Sequence, residues 1–467
     1  MQTSLAVDVA VIGAGTAGLA AYRAARAAGA KALLVEGGTY GTTCARVGCM
    51  PSKLLIAAAE AAHAIHRAPG FGVHAGPVRI DGREVMARVK RERDRFVGFV
   101  LDGVENIPES DKLRGHATFV DRTTLQVGDV RVQAKAIVIA TGSRPAIPPI
   151  LDGLGDRLVV NDDVFDWDDL PRSVAVFGPG VIGLELGQAL ARLGVRVVVL
   201  GRGGRVGPIT DPEVRNAALA AFCADVMIDP DAHVTRVERA GHQVVVDYSL
   251  NGEHRSEHFD YVLAATGRLP NVDKLGLKEL GIELDARGVP LSDPKTTRIG
   301  DTSIFIAGDS ANFLPLLHEA ADEGRIAGEN AARYPRVQPG DRRAQLGVVF
   351  TDPQIAIVGG GFASLHAHAI KVGEVSFEDQ GRSRVMLRNK GLLRVYGDPT
   401  SGRFLGAEMV GPDAEHIGHL LAWALQAQLT VDQMLQMPFY HPVIEEGLRT
   451  ALRDLASRMK ESHRVAA

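Results

Sequence analysis

The first apolar run of the chain, Val7-Asp8-Val9-Ala10-Val11-Ile12, is short, rich in β-branched residues and broken by a single acid, which predicts a buried parallel strand. It stops at Gly13-Ala14-Gly15-Thr16-Ala17-Gly18, and the alanine-rich stretch from Leu19 to about Ala28 predicts a helix. Lys31-Ala32-Leu33-Leu34-Val35 then predicts a second strand, ending in Glu36. A tight structural turn is the plain reading of the glycines. Strand, glycines, helix, strand and terminal acid in this order favour a dinucleotide site. Gly13, Gly15 and Gly18 allow a tight turn, close approach of a pyrophosphate and close helix packing, while Glu36 takes the ribose hydroxyls.

The pattern then recurs. Ser173-Val174-Ala175-Val176-Phe177-Gly178-Pro179-Gly180-Val181-Ile182-Gly183-Leu184 mirrors Asp8 to Leu19, and is followed by a helix from Glu185 to about Leu193 and a strand from Val195 to Leu200. Ile139-Ala140-Thr141-Gly142-Ser143-Arg144-Pro145 and Ala264-Ala265-Thr266-Gly267-Arg268-Leu269-Pro270 form a second echo. An internal repeat of this order predicts two similar α/β units and two bound dinucleotides. The second unit lacks the acid: where Glu36 stood, the chain reads Leu200-Gly201-Arg202-Gly203-Gly204-Arg205. Without a carboxylate to repel a 2′-phosphate, and with arginines to bind one, this end favours NADPH over NADH. Surface arginines are common, however, and Gly201 only fails to exclude the phosphate.

From about Gln345 the runs become shorter and punctuated by glycine: Val348 to Thr351, Ile355 to Val358, Gly391 to Tyr396 and Phe404 to Ala407. They predict an antiparallel sheet, with helices near Glu415 to Gln428 and Glu445 to Met459. The expected organisation is α/β, with two Rossmann-like dinucleotide-binding domains and a C-terminal α+β domain. Its expected divisions are 1–150, 151–270, 271–345 (a return to the first domain) and 346–467.

Composition narrows the function. The 467 residues are 46% apolar and 23% charged with a formal net charge of −4, so no field here would recruit nucleic acid or an anionic membrane. The basic stretch Val85 to Val97 alternates its charges through Glu92 and Asp94 and is expected to be a solvated helix face. There is no long apolar span and no secretory signal, so a reducing cytoplasm is the expected location. Of three cysteines, Cys223 stands alone and is expected to be a small buried hydrophobe. Cys44 and Cys49 lie together in Gly41-Thr42-Thr43-Cys44-Ala45-Arg46-Val47-Gly48-Cys49-Met50-Pro51-Ser52-Lys53, before the apolar run Leu54 to Ala59. Pro51 marks a helix start, and a helix N-terminus favours a thiolate at Cys49. Either the pair is redox-active or two thiols lie close by chance. A metal is disfavoured because no second Cys/His pair has matching spacing.

Taken together, G-x-G-x-x-G, C-x4-C-x-P-S-K and a second G-x-G-x-x-G resemble the FAD-dependent pyridine nucleotide–disulfide oxidoreductases, nearest to their dihydrolipoyl dehydrogenase branch. The resemblance runs from Val7 to Glu446. It implies FAD on the first unit, NAD or NADP on the second, and a disulfide between Cys44, which exchanges with substrate, and Cys49, which contacts the flavin. Lys53 is similar to a lysine near the flavin that pairs with a glutamate, here Glu185. Phe305-Ile306-Ala307-Gly308-Asp309 resembles a ribityl contact through Asp309, and Leu317-His318-Glu319-Ala320 to Glu323-Gly324 would begin a helix facing the isoalloxazine ring. Arg114-Gly115-His116-Ala117 resembles an adenine contact. The same likeness puts Thr43, Ala117, Thr141, Gly142, Arg202, Val234 and Gly267 among the expected cofactor contacts.

Pro438-Phe439-Tyr440-His441-Pro442-Val443-Ile444-Glu445-Glu446 is similar to the family's His-Pro-x-x-x-Glu signature. It implies a base, His441, oriented by Glu446, that acts on the disulfide of a partner subunit in a homodimer. The implied reaction is oxidation of a small dithiol, or of a lipoyl-bearing protein, to NAD(P)+. An NADPH-dependent disulfide reductase of glutathione-reductase type is the alternative, and a flavoprotein that acts as a binding scaffold is a reading of another class. Thr42, Ala45, Arg46 and Val443 depart from the common family pattern and leave the substrate open.

Overall fold

The Val7–Ile12 run lies at the end of a strand, Thr3–Ile12, that becomes wholly buried from Val9 onward, because sheet neighbours flank it and helices cover it. The computed structural model describes residues 3–250, 252–365 and 369–466. Two units can be separated: Met1–Pro51, Lys90–Ala146 and Arg268–Arg342 make one, and Ser52–Val89, Ile147–Gly267 and Arg343–Ala467 the other.

In the first unit a seven-stranded sheet runs in the order Lys112–Arg114, Ala32–Glu36, Thr3–Ile12, Val130–Ile139, Thr124–Val127, Ala117–Asp121, with Ile304–Ile306 also pairing with Val130–Ile139. Around Thr3–Ile12 the pairing is parallel. Ile12 is opposite both Val35 and Ile139, and Ile306 is opposite Ile139, so these strands end at one level. That common carboxyl edge is where an open parallel sheet binds ligands. Helices Thr16–Ala27 and Leu317–Arg333 pack on the sheet within one apolar core. The two Ala-Thr-Gly echoes meet directly: Ser143–Pro145 pairs antiparallel with Arg268–Pro270.

The second unit repeats the motif in a five-stranded parallel sheet, ordered Met227–Asp229, Arg196–Leu200, Ser173–Phe177, Tyr261–Ala264, Leu158–Val159. A three-stranded antiparallel sheet, His233–Ala240, Gln243–Leu250 and Glu253–Phe259, packs its apolar face on the same core. The C-terminal part is an antiparallel five-stranded sheet in the order Leu346–Val349, Gln354–Val358, Phe404–Gly411, Leu392–Gly397, Lys371–Ser376. Helices Ala414–Gln426 and Glu445–Ala466 lie against it. The fold is therefore α/β with two dinucleotide-binding domains and a C-terminal α+β domain.

Two expectations change. Cys223 is exposed, because it caps the C-terminal end of the Pro212–Phe222 helix, just past the last buried residue, Phe222. Lys371–Ser376 was not foreseen, since Gly373 interrupts an already short alternating run. The basic stretch does lie on a helix, Gly82–Glu105, where Arg88, Arg91 and Arg95 are exposed and Arg91 pairs with Glu92.

Buried acids fasten the second nucleotide-binding domain to the C-terminal sheet. Glu408 is 0% exposed and accepts bonds from the N–H groups of Thr210 (2.8 Å), Asp211 (2.9 Å) and Phe362 (2.7 Å), and from the Thr210 hydroxyl. Asp211, equally buried, caps the Pro212–Phe222 helix through Glu213 N and takes two bonds from Arg394 (2.8 and 2.9 Å) and one from the Tyr396 hydroxyl (2.9 Å). Desolvation, reinforced by Glu408 and Asp211, pushes the Tyr396 phenol far above its ordinary value and keeps it a donor. Removing one partner of such a network strands the others in a dry interior. Glu408→Ala is therefore expected to cost about 3–5 kcal/mol, measured as a lowered thermal unfolding midpoint, with Glu408→Gln losing distinctly less.

Candidate active site

The two glycine turns are built alike, for a steric reason. A Cβ on Gly13 would stand 2.3 Å from the Ala140 carbonyl oxygen, and one on Gly18 would stand 1.8 Å from that of Gly13. In the second turn the corresponding approaches are 2.5 Å, Gly178 to Ala265, and 1.9 Å, Gly183 to Gly178. The middle glycines differ: nothing lies within 4 Å of a Cβ on Gly15, and only the Ala265 carbonyl, at 3.9 Å, near one on Gly180. Both cap a helix with nearly the same backbone, φ −76°, ψ −172° and φ −76°, ψ −174°. The outer glycines pack backbone on backbone. The middle ones leave an open approach to a helix N-terminus, which suits a phosphate.

Around the first turn, the expected cofactor residues collect at the shared carboxyl edge. Glu36 accepts the N–H of Ala14 (2.7 Å) on one oxygen and that of Gly38 (2.6 Å) on the other. The Arg114–Ala117 segment lies against the same turn: Gly115 N bonds Glu36 O at 3.0 Å, Arg114 reaches Gly38 O at 2.5 Å, and His116 packs against Gly37. Ala117 itself is buried at the start of its strand. Asp309 accepts from the Ser143 hydroxyl at 2.6 Å, and Arg268 donates to that hydroxyl at 2.7 Å. The Thr141 hydroxyl is buried with no hydrogen-bond partner in the protein, beside Gly142 at φ +67°. Leu317 is 47% exposed, with His318 also exposed, at the start of the Leu317–Arg333 helix. An unclaimed buried hydroxyl, an open glycine turn and a bare apolar helix start fit an FAD.

The second turn ends differently. A Cβ on Gly201 would stand 2.5 Å from the Pro230 carbonyl oxygen, so the strand end has no room for an acid. The loop is tied down by Gly203 N to Asp231 (2.7 Å) and Gly204 N to Pro230 O (3.0 Å), leaving Arg202 and Arg205 exposed. Gly267, at φ +116°, opens onto free space. Val234 lies on His233–Ala240 opposite Tyr248 and packs on the core that contains Leu200.

The cysteine stretch forms two helices in succession. Thr43–Val47 is a single turn carrying Cys44, capped by Thr42, whose hydroxyl accepts from Ala45 N at 3.3 Å while its own φ is +58°. Cys49 is the first residue of the next helix, Cys49–Arg67, with Pro51 in its first turn. Cys44 is half-buried and Cys49 exposed, and the second of these helices presents its N-terminal dipole to Cys49.

Lys53, one turn further along, meets Glu185 at 3.0 and 2.8 Å, and lies 4.6 Å above the Phe350 ring. Glu185 is 4% exposed and also accepts the N–H of Phe350 at 2.9 Å. Two further residues extend this contact and were not anticipated. Gln188 exchanges both backbone bonds with Asp352 (2.8 Å each), and Arg192 reaches the Asp352 carboxylate at 3.1 Å and Asp225 at 2.5 Å. The signal was their spacing: Glu185, Gln188 and Arg192 share one face of an otherwise apolar helix.

His441 and Glu446 are joined through Nδ1 and Oε2 at 2.9 Å. Desolvation raises the Glu446 carboxyl, but the His441 bond, the Val443 N–H and the charges of His441 and Arg449 outweigh it and hold the carboxyl below its ordinary range. A carboxylate on Nδ1 assigns the proton to that nitrogen and leaves Nε2 as the acceptor. The imidazole is 80% exposed, so this basic nitrogen can be offered to a molecule outside the chain.

Among the described residues no helix is long and apolar enough to cross a membrane. Residues 7–324 match the pyridine nucleotide-disulphide oxidoreductase family, and residues 346–452 match its dimerisation domain. A mercuric reductase of Shigella flexneri is 32% identical over 474 residues, covering 98% of this chain and 82% of its own length. A dihydrolipoyl dehydrogenase of Geobacillus stearothermophilus is 32% identical over 456 residues, 95% of each chain. In structure, LpdA of Mycobacterium tuberculosis matches with a TM-score of 0.81 at 26% identity, over 96% of this chain and 99% of its own. A Cu(II) complex of the HOCl-induced flavoprotein disulfide reductase RclA of Escherichia coli matches with a TM-score of 0.80 at 25% identity, over 98% and 100%. Two glycine turns, a paired lysine and glutamate, and these matches over nearly the whole length lead to one conclusion: the chain belongs to the pyridine nucleotide-disulphide oxidoreductase family, flavoproteins that bind FAD and use a nicotinamide nucleotide.

Proposed function

We propose that this protein is a homodimeric flavin-dependent dithiol oxidoreductase of dihydrolipoyl dehydrogenase type, oxidising free or protein-borne dihydrolipoamide through a Cys44–Cys49 disulfide. The observation that carries the reading is the placement of the two sulfurs on successive helices, with Cys49 at a helix N-terminus. FAD would be held by Gly13, Gly15, Gly18, Glu36, Thr141 and Asp309, and when bound it supplies a two-electron carrier between the sulfurs and NAD(P)+. The other steps belong to the chain. His441 takes a proton from a substrate thiol through Nε2, and Glu446 stabilises the imidazolium that forms. The thiolate attacks the Cys44 sulfur, the Cys44–Cys49 bond breaks, and Cys49 leaves as a thiolate favoured by its helix N-terminus. The second substrate thiol displaces Cys44 from the mixed disulfide. The substrate leaves as a disulfide, and two electrons remain on the cysteine pair. The high exposure of His441 supports a site completed by a second subunit.

A second reading, an NADPH-dependent disulfide reductase, is supported by the nicotinamide site. The Pro230 backbone bars an acid from position 201, while Arg202 and Arg205 stand exposed where a 2′-phosphate would be neutralised. Steady-state turnover of dihydrolipoamide with NAD+ or NADP+, set against glutathione disulfide with NADPH, separates the two. Rapid turnover of only the second pair sinks the dehydrogenase assignment. Cys44→Ser is expected to abolish dithiol turnover while the purified protein stays yellow; unchanged turnover would remove the disulfide from the mechanism. His441→Gln is expected to slow turnover about 10²–10⁴-fold with flavin content unchanged, measured as kcat at saturating dithiol.

A further inference from the structure

Glu319 and Glu323, on the first two turns of the Leu317–Arg333 helix, are buried against a partly buried arginine from beyond that helix, Arg342. Glu319 and Glu323, 3% and 2% exposed, both bond Nη2 of Arg342, at 2.6 and 2.9 Å. Arg342 lies 4.9 Å from the Phe313 ring centroid and donates through Nη1 to the Pro294 carbonyl at 3.2 Å. One guanidinium thus serves two carboxylates. A buried acid without such a partner is strongly disfavoured, and burial does raise the Glu323 carboxyl against the pull of Gly308 and Arg342.

Glu323 spends its other oxygen elsewhere: Oε2 accepts the N–H of Gly308 at 2.7 Å. Gly308, at φ +73°, turns the chain at the end of Ile304–Ile306, and a Cβ there would press on Ala17 at 2.9 Å. The next residue is Asp309, bonded to Ser143. Because Ile306, Ile139 and Ile12 end at one level, this turn stands on the same edge as the first glycine loop and the unpartnered Thr141 hydroxyl. The sequence marks Glu319 and Glu323 only as part of the helix start expected to face the ring, and gives Arg342 no role. The hydrogen bond that joins them to the turn before Asp309 is the one Glu323 accepts from the Gly308 N–H.

We propose that Glu323 is a positioning residue for the FAD site, holding Asp309 in place through the Gly308 N–H, with Arg342 and Glu319 as its charge support. The proposal rests on FAD occupying the first glycine turn with Asp309 as a contact. A carboxylate that only stabilised the fold would act independently of Asp309, whereas one that acts through Asp309 loses its effect once that side chain is gone.

The test is FAD release from the diluted holoenzyme, followed by flavin fluorescence, in the wild type, Glu323→Ala, Asp309→Ala and the double variant, with far-UV circular dichroism as a fold control. Glu323→Ala is expected to speed release about tenfold, the scale of one lost charge-assisted hydrogen bond, and to change it less than twofold in the Asp309→Ala background. Should Glu323→Ala fail to fold, the near-isosteric Glu323→Gln replaces it, with about a threefold effect, again cancelled by Asp309→Ala, on the scale of a weakened bond. Unchanged release in the Glu323 variant, or effects that multiply in the double variant, overturn the proposal while leaving the FAD placement intact. Unchanged release in Asp309→Ala overturns both.

Discussion

The nucleotide edges of this protein depend on one close approach, that of a glycine turn to the end of a neighbouring strand. The Ala140 carbonyl occupies the space where a Gly13 side chain would begin, and the Ala265 carbonyl does the same at Gly178. With no side chains between them, turn, strand and helix N-terminus draw close enough for backbone N–H groups to meet a phosphate. The same closeness leaves Gly15 facing open space, and the parallel register brings Glu36, Thr141 and Asp309 to the same level. One steric requirement thus organises residues spread over three separate segments of the chain.

Buried charge is used throughout as fastening rather than as surface decoration. In the pairs Lys53 with Glu185, Arg342 with Glu319 and Glu323, Arg394 with Asp211, and Arg192 with Asp225 and Asp352, at least one partner is 7% exposed or less. Ion pairs in such places gain little net stability, since desolvation offsets the attraction, but breaking one is costly because the survivor is stranded. Their effect is specificity of arrangement. Glu185 illustrates this: a single carboxylate accepts from Lys53 and from the Phe350 backbone N–H together. By contrast, the His441–Glu446 pair is open to solvent on its imidazole side.

Much of this was legible in the chain. The two strand–glycine–helix–strand units and the antiparallel C-terminal sheet follow from local pattern, because each has a period or spacing that survives in one dimension; the pairing of Lys53 with Glu185 came only from the family resemblance. Cys223 was misread for an instructive reason: burial of a lone cysteine depends on which side of a helix end it falls, and the sequence carries no signal for that. The clasp of Gln188 on Asp352 was invisible because each partner is ordinary by itself, and although Gly308 and Glu323 lie in recognisable motifs, their bond to each other depends on how the helix and the turn meet. At Gly201 the pattern told of a missing acid. The Pro230 backbone tells why none can stand there.

The amino-acid sequence by itself determined the class of fold and its two dinucleotide-binding domains, because hydrophobic period and glycine spacing are local properties. Only the tertiary structure decided which buried carboxylate serves which cation, which hydroxyl is left unclaimed, and which glycine is crowded rather than merely permissive. Those outcomes depend on distances between segments far apart in the chain, fixed by strand register and close packing, and no local pattern encodes them.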